Sequence, residues 1–69
     1  MEWIEGKKYP KESGKYTARF KSGKIRVAYF TLITQKRENR ETCGKWGNVK
    51  PGYANYIPLQ DPLEWLSQL

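Results

Sequence analysis

The chain has no histidine, one cysteine and one methionine, and these shortages remove much of the chemistry open to a small protein. Without histidine there is no Ser-His-Asp or Cys-His nucleophile pair. With Cys43 alone there is neither a Cys/His zinc site nor a disulfide within the chain. Long apolar runs are missing as well: Val27 to Phe30 is the longest, against the roughly 20 residues that a helix needs to span a bilayer. The opening residues, Met1-Glu2-Trp3-Ile4-Glu5-Gly6-Lys7-Lys8, show neither a basic stretch followed by an apolar one nor a small-residue cleavage site, so no secretory signal is expected. A lone Cys43 fits a reducing interior. These readings predict a cytoplasmic protein with no membrane, no metal and no cofactor.

What is present is short and basic. In 69 residues, 38% are hydrophobic, and 13 Lys or Arg stand against 7 Asp or Glu, a net charge of +6. Ordering a chain lowers its entropy by roughly 1.5 kcal/mol per residue, so in one this small nearly every large apolar side chain must help build a single core. One compact domain over 1–69 is expected. The charge is uneven: Lys7, Lys8, Lys11, Lys15, Arg19, Lys21, Lys24 and Arg26 face only Glu12 in the stretch between Lys7 and Arg26, whereas Asp61 and Glu64 make the end acidic. Clustered charge of one sign attracts a polyanion or an acidic protein face.

Turn chemistry sets the elements. Ser13-Gly14-Lys15 precedes Tyr16 to Phe20, and Ser22-Gly23-Lys24 precedes Ile25 to Phe30; Gly supplies positive φ and Ser a local hydrogen bond. Both copies lead into alternating segments that read as strands, with Lys21-Ser22-Gly23 closing a hairpin. Residues 34–42 are polar throughout and read as a loop or hairpin tip. Cys43 to Val49 reads as a third strand, with a bulge signalled by the glycines beside Trp46, and Tyr53 to Ile57 as a fourth after a Pro51-Gly52 turn. Asp61-Pro62-Leu63-Glu64 carries the cap acid, the first-turn proline and the later acid of a helix start. An amphipathic helix over 61–69 is therefore expected, its apolar side formed by Leu63, Trp65, Leu66 and Leu69. The predicted fold is β-rich, a small α+β protein: an antiparallel sheet or SH3-like, partly rolled barrel of about four strands with a short C-terminal helix.

The ordered set Trp3-Ile4, Tyr9-Pro10-Lys11-Glu12-Ser13-Gly14-Lys15-Tyr16, Phe20-Lys21-Ser22-Gly23, Ile25 to Phe30, Trp46 and Asn55-Tyr56-Ile57-Pro58-Leu59-Gln60-Asp61-Pro62 resembles the DUF551 family of small phage and prophage proteins. That family opens with Trp-Ile, continues with a Leu-Pro-Glu-x-Gly-x-Tyr-like stretch, has a strand ending near Val-Ala-Tyr-Tyr and closes with His-Trp-Met-Pro-Leu-Pro-x-Pro. Here Asn55 stands in place of the closing His. The resemblance implies a mobile-element setting and a compact β-rich fold, and no catalytic residue.

Alternation over the first hairpin places Tyr16, Ala18, Phe20, Ile25, Val27 and Tyr29 toward the core and Lys15, Arg19, Lys21, Lys24 and Arg26 on the opposite face. Such a surface suits phosphate contacts, which bring affinity without base readout; a solvated outer face that keeps a strand soluble uses the same residues. On strict alternation Phe30 and Leu32 would join the basic face, unless a bulge near Ala28 reverses the register. Trp3, Tyr16, Phe20, Tyr29, Trp46, Tyr56 and Trp65 are expected mainly inside, with Tyr9 and Tyr53 the aromatics best placed for exposure. The acidic residues form no convincing acid/base pair, the Gly-Lys dipeptides lack the spacing of a phosphate loop, and Cys43 reads as a small strand residue. The expected function is thus a non-enzymatic binding module that engages nucleic acid, or a complex handling it, through Lys15, Arg19, Lys21, Lys24, Arg26 and Tyr53. The alternative is a protein inhibitor that masks an acidic surface of a host enzyme or defence complex.

Overall fold

The structure, a computed structural model, describes residues 2–35 and 42–67 and all of their side chains except those at 34, 35, 42 and 43. It contains an open antiparallel sheet of six strands and, among the described residues, no helix. The strands are β1 (Trp3–Glu5), β2 (Gly14–Arg19), β3 (Ile25–Gln35), β4 (Thr42–Gly47), β5 (Pro58–Leu59) and β6 (Glu64–Leu66), in the order β1-β6-β2-β3-β4-β5. The β-rich class holds, and the partly rolled barrel of about four strands does not.

β2 and β3 form the expected hairpin, with Gly23 at φ 88° in the turn. A left-handed backbone there excludes most side chains but not glycine. β3 then continues into β4, and the pairing shifts between Leu32 and Thr34, opposite Gly44 and Cys43. The bulge lies beside the glycine-rich strand rather than near Ala28. The ring of Phe30 fills the space that a side chain at Gly44 would need. Of the expected polar loop over 34–42, Thr34, Gln35 and Thr42 belong to paired strands, and 36–41 lie outside the described residues.

The fourth strand falls later than expected. Residues 53–57 are turn and irregular backbone, and the strand is Pro58–Leu59. Asn48 decides this: its Nδ2 donates to the Asn55 carbonyl at 2.9 Å, and its Oδ1 accepts from the Ile57 N–H at 2.6 Å. A side chain that takes over backbone partners in this way replaces a ladder by a shaped loop.

The expected C-terminal helix is also corrected, because Glu64–Leu66 is a strand inserted between β1 and β2. Nine residues are too few for a helix that is stable without tertiary help, and a helix there would leave β1 and the end of β2 with open edges. Instead Leu63 donates to the Arg19 carbonyl at 2.8 Å, Gly6 to that of Leu63 at 2.9 Å, and Ser67 to that of Glu2 at 2.8 Å. Asp61, the expected cap, accepts the Tyr9 hydroxyl at 2.9 Å.

One sheet face is covered by the β1–β2 connection. Ala18, Ala28, Phe30, Trp46 and Trp65 are its buried core, with Ile4, Tyr9, Tyr16, Phe20, Leu32 and Leu59 packed against it. The rings form a chain. Tyr9 stacks on Phe30 at 5.5 Å, Phe30 meets Trp46 at 5.2 Å, and Tyr16 lies edge-on to both Trp46 and Trp65. Pro10 is fully buried, and Trp65 Nε1 donates to the Lys8 carbonyl at 2.7 Å, which ties the covering loop to the inserted strand. Tyr9, expected to be exposed, is half-buried as part of this cover. Burial pushes the Tyr16 phenol above its usual 10.0, with the Glu12 carboxylate adding to the rise.

Candidate binding surface

Register fixes which side chains share a face, since directly paired residues point the same way. Tyr16 pairs with Ala28, Ala18 with Arg26, and Phe30 with Trp46. Even-numbered residues of β3 therefore face the core, and Ile25, Val27 and Tyr29 face the other side. This inverts the facing expected for β3. The cause is packing: Ala18 and Ala28 leave room for the large rings, whereas Ile25 and Val27 are no more apolar than Phe30 and Leu32 and carry no such fit.

The open face thus groups Lys15, Thr17 and Arg19 of β2 with Tyr29, Val27 and Ile25 of β3, Trp3 of β1, and Glu64 and Leu66 of β6. Ile25 and Val27 are each 56% exposed, and Trp3 is 37% exposed where an interior place was expected. Arg19 Nε lies 3.3 Å from Glu64 Oε2, and its guanidinium sits 5.1 Å from the centre of the Trp3 ring. The Tyr56 ring lies on Gly47, in the space a side chain there would take, and Lys45 Nζ is 5.7 Å from that ring. The centre is aliphatic; its flanks are aromatic rings with cations beside them.

The five hairpin cations do not share one surface. Lys15 and Arg19 belong to the open face, while Lys21, Lys24 and Arg26 line a cleft of about 270 Å³ between the β2–β3 turn and the segment after β5. Phe20, Leu59, Gln60 and Asp61 complete that cleft. Tyr53 is 61% exposed in the β4–β5 connection, as expected, but lines neither feature. The readings from sequence missed Ile25, Val27, Trp3, Lys45 and Tyr56. A run in which both alternate phases are apolar carries no signal for which phase is bare. Only Ala18 and Ala28, on the same face of neighbouring strands, could have given it.

Among the described residues no group of three or more His, Cys, Asp or Glu is placed to hold a metal ion, and no helix is long and apolar enough to cross a membrane. No family model matches the chain, and neither a curated protein nor a solved structure does.

Proposed function

We propose that this chain is a non-enzymatic binding module whose open sheet face engages a protein surface with an apolar centre and acidic surroundings. The observation that carries the reading is the pair Ile25 and Val27, adjacent on one face and more than half exposed. A solvated sheet face normally alternates to polar residues, and contiguous exposed apolar surface marks an interaction site more often than chance. Aliphatic side chains have no π face for a base, so the centre suits a protein better than a nucleic acid. Lys45, on the same face at the Tyr56 flank, and the chain's net charge of +6 favour an acidic partner. In the phage or prophage setting that the DUF551 resemblance implies, the partner is a host enzyme or defence complex in the cytoplasm, and the module acts by masking its surface.

The test uses the tagged full chain in a nuclease-treated host lysate, with Val27→Lys and Lys24→Gln/Arg26→Gln beside it and circular dichroism to verify folding. The proposal expects one acidic protein, then purified, to bind the native chain directly, to be lost with Val27→Lys and to be kept by the double variant. Loss with the double variant and retention by Val27→Lys contradicts it.

A second reading, binding of nucleic acid, is favoured by the convergence of Lys21, Lys24 and Arg26 on one cleft. At about 0.9 per neutralised phosphate, three contacts give a slope of log affinity against log salt of about −2.7 on duplex DNA, against about −4.5 for five. Fluorescence anisotropy over a salt series measures it. Binding that survives Val27→Lys with that slope selects this reading, and no binding at low salt removes it.

A further inference from the structure

We infer that the cleft at the β2–β3 turn is a site for a nucleotide-like phosphate monoester, an inference that deepens the second reading, which rests on the same cleft, and is independent of the reading of the open face. Lys21, Lys24 and Arg26 line it together, and none of the three has a carboxylate within salt-bridge distance among the described residues. Unpaired cations converging on one cavity favour a compact, multiply charged anion, and Arg adds the planar fork that fits phosphate oxygens. The walls say more than the charge does. Phe20 and Leu59 supply an apolar side on which a flat ring can lie, and Gln60 offers an amide.

Asp61 is the one acid of the cleft, and it gives the site a preference. One of its oxygens, Oδ2, accepts the Tyr9 hydroxyl at 2.9 Å, and among the described residues the other has no donor. A ligand hydroxyl can donate to that second oxygen while the phosphate stays on the cations. Phosphate, hydroxyl and flat ring together describe a nucleoside monophosphate, either free or as the phosphorylated end of an oligonucleotide. The volume of about 270 Å³ lies just under the usual range of ligand cavities, roughly 300–1,000 Å³, and suits one nucleotide unit rather than a longer chain.

Backbone ¹⁵N NMR titration of the full chain tests this, with adenosine 5′-monophosphate, inorganic phosphate, adenosine, sulfate, and an oligonucleotide with and without a 5′-phosphate. The expected result is shifts confined to 20–26 and 59–61, with the monophosphate binding more tightly than phosphate, and adenosine and sulfate weakest. Arg26→Gln should weaken the monophosphate about tenfold, taking about 1.5 kcal/mol for a hydrogen bond to a charged group. Lys11→Gln, an equally exposed lysine outside the cleft, should leave it within twofold. Asp61→Asn should tighten inorganic phosphate, because a carboxylate beside the anion is removed while an acceptor for Tyr9 is kept. Shifts with only the phosphorylated oligonucleotide and the monophosphate identify a chain end as an allowed source; shifts with the monophosphate alone identify the free nucleotide. Shifts spread over all surface lysines, equal response to sulfate and monophosphate, or no response at millimolar ligand overturns the inference.

Discussion

The two faces of the sheet are built from the same strands and differ in what lies over them. On one, the β1–β2 connection brings Tyr9 onto Phe30 and buries Pro10, and a chain of five rings from Tyr9 to Trp65 fills the space. On the other, Ile25 and Val27 stay more than half exposed. Apolar residues in this small domain are thus not all recruited to its core: five of the described ones are buried on the covered face, while these two remain largely in water.

The comparison breaks most completely if the sheet is interrupted between its faces' shared strands. Truncation after Asp61 removes β6, which joins β1 to β2, and should abolish the fold; loss of amide dispersion in an NMR spectrum is the readout. Next comes a substitution on the covered face. Phe30→Ala should lower unfolding free energy by about 3–5 kcal/mol, from lost burial and the cavity left among Tyr9, Trp46 and Gly44. At about 0.05–0.15 kcal/mol per residue, a chain of 69 residues has about 3–10 kcal/mol of stability, so urea unfolding should find the midpoint of that variant lowered by about a third or more.

Smaller effects sharpen the same contrast. Tyr16→Phe loses the hydrogen bond from its hydroxyl to the Glu12 carbonyl, about 1 kcal/mol, and removes a pH dependence. Because the folded phenol titrates above 10.0, the native state holds its proton after the unfolded chain has released it. The stabilisation is complete below pH 10 and is lost as pH rises through the folded value. Native stability should therefore fall more steeply in alkali than that of Tyr16→Phe, which urea midpoints between pH 8 and 11 will show. Smallest of all, Cys43→Ala should leave binding to the purified partner within a few fold by calorimetry, since no proposed contact uses the thiol.

How far the sequence could be read follows from the range of the forces involved. The β2–β3 hairpin was legible because its turn is local: Ser22 and Gly23 announce it, and Gly23 takes the positive φ. The third strand was legible from Trp46 between glycines. The last element was not, because the helix signal at Asp61-Pro62 is local while the reason for the strand is distant, in open edges of β1 and β2 that Glu64–Leu66 fills. The site was half legible. Lys21, Lys24 and Arg26 do meet, but in a cleft completed by Leu59 to Asp61, and Lys15 and Arg19 are elsewhere. Facing in β3 was decided by Phe30 joining the rings and Ala28 leaving room for them, and composition alone cannot rank them against Ile25 and Val27.

The division between a structural face and a bare one is tested most directly by equilibrium urea unfolding of the double variant Ile25→Thr/Val27→Thr, followed by far-ultraviolet circular dichroism. Threonine keeps the β-branch that a strand favours, so the change removes mainly apolar surface already in water. The expected unfolding free energy is within about 1 kcal/mol of the native chain's, as for surface substitutions elsewhere. A loss of about 3 kcal/mol or more, the range of a core truncation, would mean that this face is packed in the isolated protein and is not bare.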